Sequence, residues 1–578
     1  MAARPRIAAA VSGALSSLGI VMEAADVHLE RPGRREHGDW STNAALVNAK
    51  SLGRPPRQLA EELAGRLRAD PPPHLRSVEV AGPGFVNLHL EPGWLHDTLA
   101  EVVHDGEDRY ARPQLGAGER VQVEFVSANP TGPLHVGNGW WGAYGDALAR
   151  VLTRCGWSVH REYYVNDTGG QIRALGGSVL ARRRGDEVPD EGYQGEYVAE
   201  LAAEYDGPED VEAAGRWAGE RILDHIRVTL ARIGIEFDAW YSQASVEESG
   251  AIRATIDLLA AKGLVDEEDG AVWFRSSRLG DNRDRVLVKS NGDATYLAGD
   301  LAYHRDKFLV RGFDRVIDIF GADHAGQVKS LTLGVEAMGV DAGRLEVKIG
   351  QMVSLVYNQS LEAVVDALMQ AEPGLTRQQA TATAVEEHPE LGGASSDGPV
   401  RMSKRAGNFV ALDALISDIG ADATRLLSLM SSLDQAQVLD LDLVRKQSME
   451  NPVYYVQYAY ARIASIERVR TERGIERRSL ADVDLAPLVH ERELELLRCL
   501  EQLPDVVADA GRDRAPHKVT AWVRELAGAF HGFYHDCPVL AESVGDGLVQ
   551  ARLWLVEAAR VGFSIGLDLL GVSAPESM

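Results

Sequence analysis

The sequence has few cysteines, and it has no long apolar run. Only three of its 578 residues are cysteine (Cys155, Cys499 and Cys537), and no two of them lie close together in the chain. This spacing excludes a disulfide framework and a Cys-x-x-Cys zinc site, and it fits a reducing compartment. No stretch approaches the roughly 18 consecutive apolar residues that a membrane-spanning helix needs. We therefore expect a cytoplasmic protein that has no contact with a membrane and no metal site of its own.

Positive charge is also scarce. The chain has 60 Lys and Arg residues against 86 Asp and Glu residues, which gives a formal net charge of −26. So acidic a chain repels polyanions as a whole, and any nucleic acid would have to bind to a local basic patch. Only nine of the cations are lysine, so a lysine inside a motif is less expected by chance. The length predicts two to four domains.

Residues 1–112 are predicted to form a small α+β domain. Apolar residues recur at helical spacing over 7–18, which favours an amphipathic first helix over a signal peptide. Alternating apolar residues over 77–80 and 84–90 predict two strands joined by an Ala-Gly-Pro turn.

Residues 113–430 alternate between strand and helix patterns. Segments 121–126 and 158–165 are typical of buried strands, and the segment between them at 140–155 has helical spacing. Strand, helix and strand at this spacing predict a parallel sheet with the Rossmann-like order of layers.

Two further features complete the predicted organisation. The stretches at about 172–290 and 357–397 look like insertions into the Rossmann-like domain. Residues 431–578 show an almost purely helical pattern, which predicts an all-α C-terminal domain.

The first stretch that indicates chemistry follows the strand at 121–126. A loop rich in Pro and Gly leads to His135, Gly137 and Asn138 at the start of a helix. Glycine lets a ligand approach the backbone, and a helix N-terminus offers unpaired N–H groups and a positive dipole end. This arrangement suits a triphosphate, to which His135 can donate a hydrogen bond.

The same stretch allows an alternative. Gly137-x-Gly139-x-x-Gly142 matches a dinucleotide-binding fingerprint, and Glu162 lies about 20 residues beyond it, where a ribose-binding acid is expected. This pattern would indicate an NAD-dependent dehydrogenase. The objection is geometric, because residues 128–136 with two prolines separate the strand from the first glycine.

The second stretch is Arg401-Met-Ser-Lys-Arg405, which has glycines on both sides. Mobile cations in such a loop suit a transition state whose negative charge develops during the reaction. Taken alone, the segment is more typical of a basic surface loop.

Together these stretches resemble the class I aminoacyl-tRNA synthetases. His135-Val-Gly-Asn138 is similar to their His-x-Gly-His signature, and Arg401-Met-Ser-Lys-Arg405 is similar to their Lys-Met-Ser-Lys-Ser loop. Other stretches resemble the arginyl-tRNA synthetase family in particular, and the likeness extends over nearly the whole chain. They are Ser127-Ala-Asn-Pro-Thr-Gly-Pro-Leu-His135, Arg161-Glu-Tyr-Tyr-Val-Asn-Asp167, Asp293-Ala-Thr-Tyr-Leu-Ala-Gly-Asp300, Gly321-Ala-Asp-His324 and Asn451-Pro-Val-Tyr-Tyr-Val-Gln-Tyr-Ala-Tyr460.

The resemblance implies a reaction and its partners. The carboxylate of arginine attacks the α-phosphate of ATP, pyrophosphate leaves, and the arginyl group passes to a hydroxyl of the terminal adenosine of tRNA. Mg²⁺ accompanies the nucleotide, and a monomer is expected. By the same likeness, the catalytic residues are His135, Asn138 and Lys404. The residues expected at the ATP are His135, Gly137, Asn138, Met402, Ser403 and Lys404.

A guanidinium substrate is planar, permanently charged and carries five N–H donors, so its pocket must supply carboxylate and other oxygen acceptors. The resemblance assigns Asp300 to the guanidinium, with Tyr296 as a wall of the pocket. Glu124 and Asn129 are expected at the α-amino and carboxylate end. Gln327 is the remaining candidate for arginine binding.

The resemblance also implies that the N-terminal domain binds the body of the tRNA and that the C-terminal domain binds the anticodon. Six arginines between residues 462 and 478 form a local basic strip beside several tyrosines. Aromatic and Arg side chains together suit unstacked bases. We expect Tyr460, Arg462 and Arg468 to contact the tRNA, and Tyr460 to lie nearest to it.

The chain departs from the family pattern at two places. Asn138 replaces the second His of the signature; its amide can donate a hydrogen bond but cannot carry charge. The stretch 357–397 stands where the family usually has a short connection. Both departures leave open a paralogue of the family with altered or lost aminoacylation.

Overall fold

The computed structural model describes residues 3–351, 353–356, 365, 368–369, 374–387, 410–435 and 437–578. The described elements form an N-terminal α+β region, a core built on a parallel sheet and a helical C-terminal region. The predicted fold class is therefore confirmed. The boundaries of the three domains and of the two insertions stay predictions.

The N-terminal region places helices against an antiparallel sheet with the strand order β1-β2-β4-β3. The helices are α1 (Ala3–Ser16), α2 (Ala44–Leu52), α3 (Pro56–Ala69) and α4 (Gly93–Arg109), and the strands are β1 (Leu29–Glu30), β2 (Trp40–Thr42), β3 (Leu75–Ala81) and β4 (Phe85–Leu90). The predicted first helix and the predicted pair of strands are confirmed as α1 and as β3 and β4. Two strands, β1 and β2, were not predicted, because two or three residues are too few to show alternation.

The middle of the chain alternates between strands and helices. Its strands are β5 (Arg120–Glu124), β6 (Ser158–Val165), β7 (Ala239–Ser242), β8 (Val265–Glu268), β9 (Ala271–Phe274), β10 (Arg285–Val288), β11 (Arg315–Gly321), β12 (Leu345–Gly350) and β13 (Val353–Val356). Its helices are α5 (Val136–Arg154), α6 (Gly170–Arg184), α7 (Glu196–Glu204), α8 (Val211–Arg232), α9 (Gln243–Glu248), α10 (Ala251–Ala261), α11 (Tyr296–Arg305), α12 (Val328–Ala337), α13 (Arg377–Glu387), α14 (Leu412–Ile419) and α15 (Ala421–Ser428).

Five of these strands form one parallel sheet in the order β7-β6-β5-β11-β12. From β5 the chain first builds outward through β6 to β7, and it later returns to the other side of β5 as β11. In open α/β sheets, ligands bind at the carboxyl ends of the strands where the order reverses in this way. The reversal lies between β5 and β11, beside the start of α5.

The stretch at about 172–290, which was predicted to be an insertion, contains both helices and sheet. β8, β9 and β10 form a separate antiparallel sheet of three strands. Each of these strands has only four residues, so alternation in the sequence was too short to indicate them. Near the end of this part of the chain, β12 ends at Gly350 and a separate strand, β13, begins at Val353.

The C-terminal region is helical, as predicted. It contains β14 (Gln437–Asp440), which pairs with β13, and then α16 (Leu441–Arg445), α17 (Pro452–Glu472), α18 (Glu491–Asp513), α19 (His517–Asp536) and α20 (Asp546–Leu570). Asn451 caps α17 by accepting the backbone N–H of Val453 at 3.0 Å, and Pro452 is its first residue. None of the helices in the described ranges is long and apolar enough to cross a membrane.

A buried arginine fixes the C-terminal helices to the core. Arg425 donates to the carbonyl of Leu570 at 2.9 Å, to the carbonyl of Ile233 at 2.8 Å and to Asp146 at 2.5 Å. Because an isolated buried charge is very unfavourable, this guanidinium needs all of these acceptors. The contact joins α5, α15 and the end of α20, so the helical region has a fixed place beside the sheet.

Candidate active site

His135 lies where α5 begins, and a pair of hydrogen bonds holds it there. The backbone N–H of His135 donates to Oδ1 of Asn138 at 3.1 Å, and the backbone N–H of Asn138 donates to Nδ1 of His135 at 3.3 Å. The two residues form a capping box, which satisfies two N–H groups at the helix start. Since Nδ1 of His135 accepts a hydrogen bond, the proton of the neutral imidazole is on Nε2.

The side chain of Asn138 is thus engaged with the backbone of the loop. It is only 4% exposed, and its oxygen accepts the N–H of His135. Asn138 therefore helps to orient His135. Its direct contact with a phosphate stays a prediction.

Gly137 and Gly139 are each needed for a different close contact. A Cβ atom added at Gly137 would lie 3.0 Å from Cε1 of His135, so a side chain there would displace the imidazole. A Cβ atom added at Gly139 would lie 2.4 Å from Leu412. Gly139 therefore allows the close packing of α5 against α14, whereas Gly137 leaves room for the ring of His135.

The loop before α5 is also joined to the chain that follows the Arg401-Met-Ser-Lys-Arg405 stretch. Val136 donates its backbone N–H to the carbonyl of Val410 at 3.2 Å, and Leu412 donates to the carbonyl of Leu134 at 2.8 Å. Val410 comes six residues after Lys404 in the sequence. The predicted site residues Met402, Ser403 and Lys404 themselves lie outside the described residues.

The turn at the end of β5 is strained. Val126 and Ser127 both have positive φ angles, of 68° and 37°. A β-branched residue rarely adopts this conformation, which costs about 1–3 kcal/mol per residue. The turn lets the hydroxyl of Ser127 donate to Glu124 at 2.9 Å and accept the backbone N–H of Tyr164 at 3.0 Å. Strain of this kind is typical of functional sites.

Three acidic residues lie side by side on the sheet. Glu124 of β5 is in register with Glu162 of β6 and with Asp318 of β11, so the three side chains share one face. All three are buried, and cations from one segment oppose them. Lys307 lies 2.6 Å from Glu124, and Arg311 lies 2.5 Å from Glu162.

Asp300, on α11, adds a further carboxyl group. It is partly buried, and desolvation is the main reason why its pKa is raised to about 6. His304 opposes this rise in pKa, and the negative charge of Glu124 adds to it. The charge of Glu124 therefore acts on the ionisation of Asp300.

The other predicted arginine-binding residues are placed differently. The amide of Asn129 donates to Gln171 at 2.8 Å. Tyr296, the first residue of α11, is 68% exposed, and Gln327, just before α12, is also exposed. The structure thus brings Glu124 and Asp300 together and leaves Tyr296 and Gln327 at the surface. Their contact with arginine stays a prediction.

The predicted tRNA-binding residues lie along α17. The guanidinium of Arg462 stacks on Tyr458 at 4.4 Å and on Tyr534 at 4.6 Å. Arg468 is exposed, whereas the ring of Tyr460 contacts Phe563 of α20 at a centroid distance of 6.5 Å. Arg462 and Arg468 therefore occupy surface that is open to a partner, while Tyr460 is turned toward the helical core.

The pattern Gly137-x-Gly139-x-x-Gly142 does not form a dinucleotide-binding turn. β5 ends at Glu124 and α5 begins at Val136, so eleven residues (125–135) separate the strand from the helix. Glu162, the expected ribose-binding acid, is completely buried and accepts hydrogen bonds from Gln122, Tyr303 and Arg311. The geometry contradicts the dehydrogenase alternative.

Lys307 was not predicted as a site residue. It lies within hydrogen-bonding distance of both Glu124 and Asp318. The available signal was its type and place, since it is one of only nine lysines and comes seven residues after Asp300, the last residue of a stretch that resembles the family. Its contact with Glu124 depends on the folding of α11 against the sheet, which the sequence pattern does not indicate.

Comparison with known protein families finds a match at each end of the chain. The family model described as the arginyl tRNA synthetase N terminal domain matches residues 5–90. The model described as the DALR anticodon binding domain matches residues 456–578. The solved arginyl-tRNA synthetase of Thermus thermophilus has the same fold, with a TM-score of 0.72 at 22% identity over 100% of both chains. That of Plasmodium falciparum gives a TM-score of 0.70 at 17% identity and covers 99% of this chain and 98% of its own.

Similarity to curated proteins extends over almost the whole sequence. The chain is 42% identical to the arginine–tRNA ligase of Desulfosudis oleivorans, over 96% of this chain and 95% of that protein. It is 44% identical to the arginine–tRNA ligase of Frankia alni, again over 96% and 95% of the two chains. Likeness of this extent does not favour the altered paralogue, and the chain belongs to the arginine–tRNA ligase family.

Proposed function

We propose that the carboxyl edge of the parallel sheet, between His135 and Asp300, is where this arginine–tRNA ligase activates arginine. The carboxylate of arginine attacks the α-phosphate of MgATP, pyrophosphate leaves, and the arginyl group passes from the adenylate to the terminal adenosine of tRNA. The place of Asp300 carries this proposal: it lies one helical turn before His304, which contacts Asp318, the neighbour of Glu124 in the sheet. Two neighbouring carboxyl groups match the charge and the donors of a guanidinium.

At the arginine end, Asp300 accepts the guanidinium N–H groups, and Tyr296 forms a wall beside it. Glu124 and Asn129 receive the α-amino and carboxylate end. Gln327 completes the set from the start of α12. Support comes from the burial of Glu124, which is 4% exposed, because electrostatic attraction is stronger away from water.

At the ATP end, His135 donates from Nε2 to a phosphate oxygen, while Gly137 and Asn138 expose the N-terminal turn of α5. The 19 residues of α5 give that end a positive dipole. Met402, Ser403 and Lys404 are proposed to approach the phosphates from the other side. The hydrogen bond between Val136 and Val410 supports this placement, since it anchors the end of that stretch beside α5.

The C-terminal helices are proposed to bind the anticodon through Arg462, Arg468 and Tyr460, and the N-terminal region to bind the tRNA body. Arg462 supports this proposal, because its guanidinium lies against two tyrosine rings, and a surface that combines Arg and aromatic side chains suits unstacked bases. We further propose that the protein acts as a monomer in the cytoplasm.

The proposal is tested by offering the purified protein each amino acid in turn, with MgATP and total tRNA, and measuring aminoacylation. Arginine alone should be attached. Arginine-dependent exchange of pyrophosphate into ATP, measured with and without tRNA, shows whether activation needs the RNA. Attachment of another amino acid, or exchange without aminoacylation, would contradict the proposal.

The ionisation of Asp300 predicts a pH dependence. Its pKa of about 6 means that the free enzyme loses the carboxylate as the pH falls through 6. Since the ionised form attracts the guanidinium, kcat/KM for arginine should fall about tenfold per pH unit below that pKa and level off above it. The measurement is the exchange reaction over this pH range at saturating ATP. The value of kcat/KM for ATP at saturating arginine is the control, because bound arginine holds Asp300 ionised.

The capping box predicts the effect of Asn138→Asp. The carboxylate still accepts the N–H of His135, and its charge suits the positive end of α5, so thermal stability should be retained or rise slightly. The same charge would oppose the phosphates, so KM for ATP should rise by about tenfold or more. Kinetics and thermal unfolding together test this prediction. Asn138→Ala is the comparison, because it removes the cap without adding charge, and an unchanged KM for ATP in Asn138→Asp would place the phosphates elsewhere.

A further inference from the structure

The ammonium group of Lys307 is completely buried between two carboxylates. Its Nζ lies 2.6 Å from Oε2 of Glu124 and 2.8 Å from Oδ1 of Asp318. It also lies 4.2 Å from the centre of the Tyr303 ring. Lysine is almost never fully buried unless it is paired, and this one has three favourable partners.

A local change in the helix places Lys307 over the sheet. α11 continues into a π-helical turn, Asp306–Val310, and such turns are rare and frequent at functional sites. His304, Lys307 and Arg311 all point from this segment to the row of acids on the sheet. His304 binds Asp318 at 2.7 Å, and Arg311 binds Glu162 at 2.5 Å. Each acid of the row therefore contacts at least one basic side chain from this stretch.

We propose that Lys307 is a positioning residue for arginine binding, which holds Glu124 ionised and fixed so that this carboxylate can receive the substrate. The inference rests on the proposed function, because Glu124 is the proposed partner of arginine. In this proposal, the ammonium group of Lys307 keeps Glu124 ionised before the positively charged substrate binds.

An ionised Glu124 is costly at this place, because the side chain is buried. Burial raises the pKa of Glu124 above its ordinary value, and Lys307 opposes this rise. The other groups that face this carboxylate come from three elements. They are Asp300, Tyr303 and His304 of α11, Asp318 of β11, and Glu162 and Tyr164 of β6. Without Lys307, Glu124 would be surrounded mainly by acids and would bind a proton.

The hydrogen bonds leave room for a ligand. Lys307 donates to Oε2 of Glu124, and the hydroxyl of Ser127 donates to Oε1. A carboxylate offers about four lone-pair positions, so both oxygens can still accept a donor from arginine. Lys307 and Ser127 thus fix the plane of the group from one side and leave its remaining acceptor positions for the substrate.

The test is Lys307→Met, which keeps the length of the side chain and removes the charge. In the variant, Asp318 keeps its hydrogen bond with His304, and Glu124 keeps its hydrogen bond with Ser127. We therefore expect the variant to fold. Loss of a nearby cation raises a carboxyl pKa by about 1–3 units. We therefore expect KM for arginine at neutral pH to rise about 10- to 100-fold while KM for ATP changes little. In the variant, kcat/KM for arginine should keep rising at pH values where the wild-type value is already level.

Arg311→Met is the matched control. It removes a cation from the same segment and the same row, but its partner Glu162 keeps Gln122, His160 and Tyr303. KM for arginine and its pH profile should stay at the wild-type values in this variant. Equal effects of both substitutions, or an unchanged pH profile in Lys307→Met, would overturn the inference.

A second variant covers the case in which Lys307→Met does not fold. Lys307→Met/Asp318→Asn removes one charge of each sign, so Glu124 alone is left without its cation, and the same pH-dependent rise of KM for arginine is expected. Asp318→Asn alone keeps the contact of Lys307 with Glu124 and should bind arginine within about threefold of wild type. Wild-type protein that does not activate arginine would refute the proposed function; normal arginine binding in the double variant would refute only the role of Lys307.

Discussion

Replacement of Asp300 by Asn is expected to lower kcat/KM for arginine by about 10²- to 10³-fold, because one partner of a desolvated ion pair with the guanidinium is lost. Asn has nearly the same shape, and the carboxyl group of Asp300 makes no described salt bridge, so the fold should be intact. The effect should lie mainly in KM for arginine, since the guanidinium is far from the reacting carboxylate and its contacts change little during the reaction.

The measurement is arginine-dependent pyrophosphate exchange, with circular dichroism and thermal unfolding to check the fold. Asp293→Asn is the matched control, because Asp293 is an exposed acid in the turn before α11 and bonds only to Asn291 and to Lys289 through its backbone. It should leave KM for arginine unchanged. A normal KM for arginine in Asp300→Asn would show that another group receives the guanidinium.

Most long elements of the fold could be predicted from the sequence. The strand predicted over 158–165 is β6 (Ser158–Val165). The helix predicted over 140–155 corresponds to α5 (Val136–Arg154), which ends one residue earlier than predicted. α5 begins at Val136, as expected from the stretch of His135, Gly137 and Asn138 that was predicted to open the helix. Short strands were missed because four residues, as in each of β8 to β10, are too few to show alternation.

The candidate site could be predicted only in part. Acids at the carboxyl ends of strands, such as Glu124, are visible in the sequence because the strand pattern ends there. Their grouping with Glu162 and Asp318 depends on the register between β5, β6 and β11, which tertiary packing decides. The place of Lys307 depends in addition on a π-helical turn, for which the sequence pattern has no sign.

Asn138 shows how a motif can hide a local structural role. Its position in the signature indicated contact with phosphate, as did its amide. The structure adds that its oxygen accepts the backbone N–H of His135 at 3.1 Å. A residue three positions after the N-cap is well placed for this bond, so the spacing of His135 and Asn138 also fits a capping box at the predicted helix start.

Substitution of His135 by Asn is expected to lower kcat of pyrophosphate exchange by about 10²- to 10³-fold, which is the usual loss when a donor to developing negative charge is removed. KM for ATP should change much less, because the donated hydrogen bond strengthens as charge develops in the transition state. Asn is at least as good as His at capping a helix, so the free energy of unfolding should be nearly unchanged.

His135→Ala separates the imidazole's chemical role from its structural one. This variant loses the cap as well as the imidazole, and its free energy of unfolding should fall by about 0.5–2 kcal/mol. If the imidazole acts on the phosphates, both variants lose the same factor in kcat although only one of them is less stable. If His135→Asn instead retained kcat and only His135→Ala lost it, His135 would serve as a helix cap alone, and the phosphates would have to be stabilised by the dipole of α5 and by Lys404.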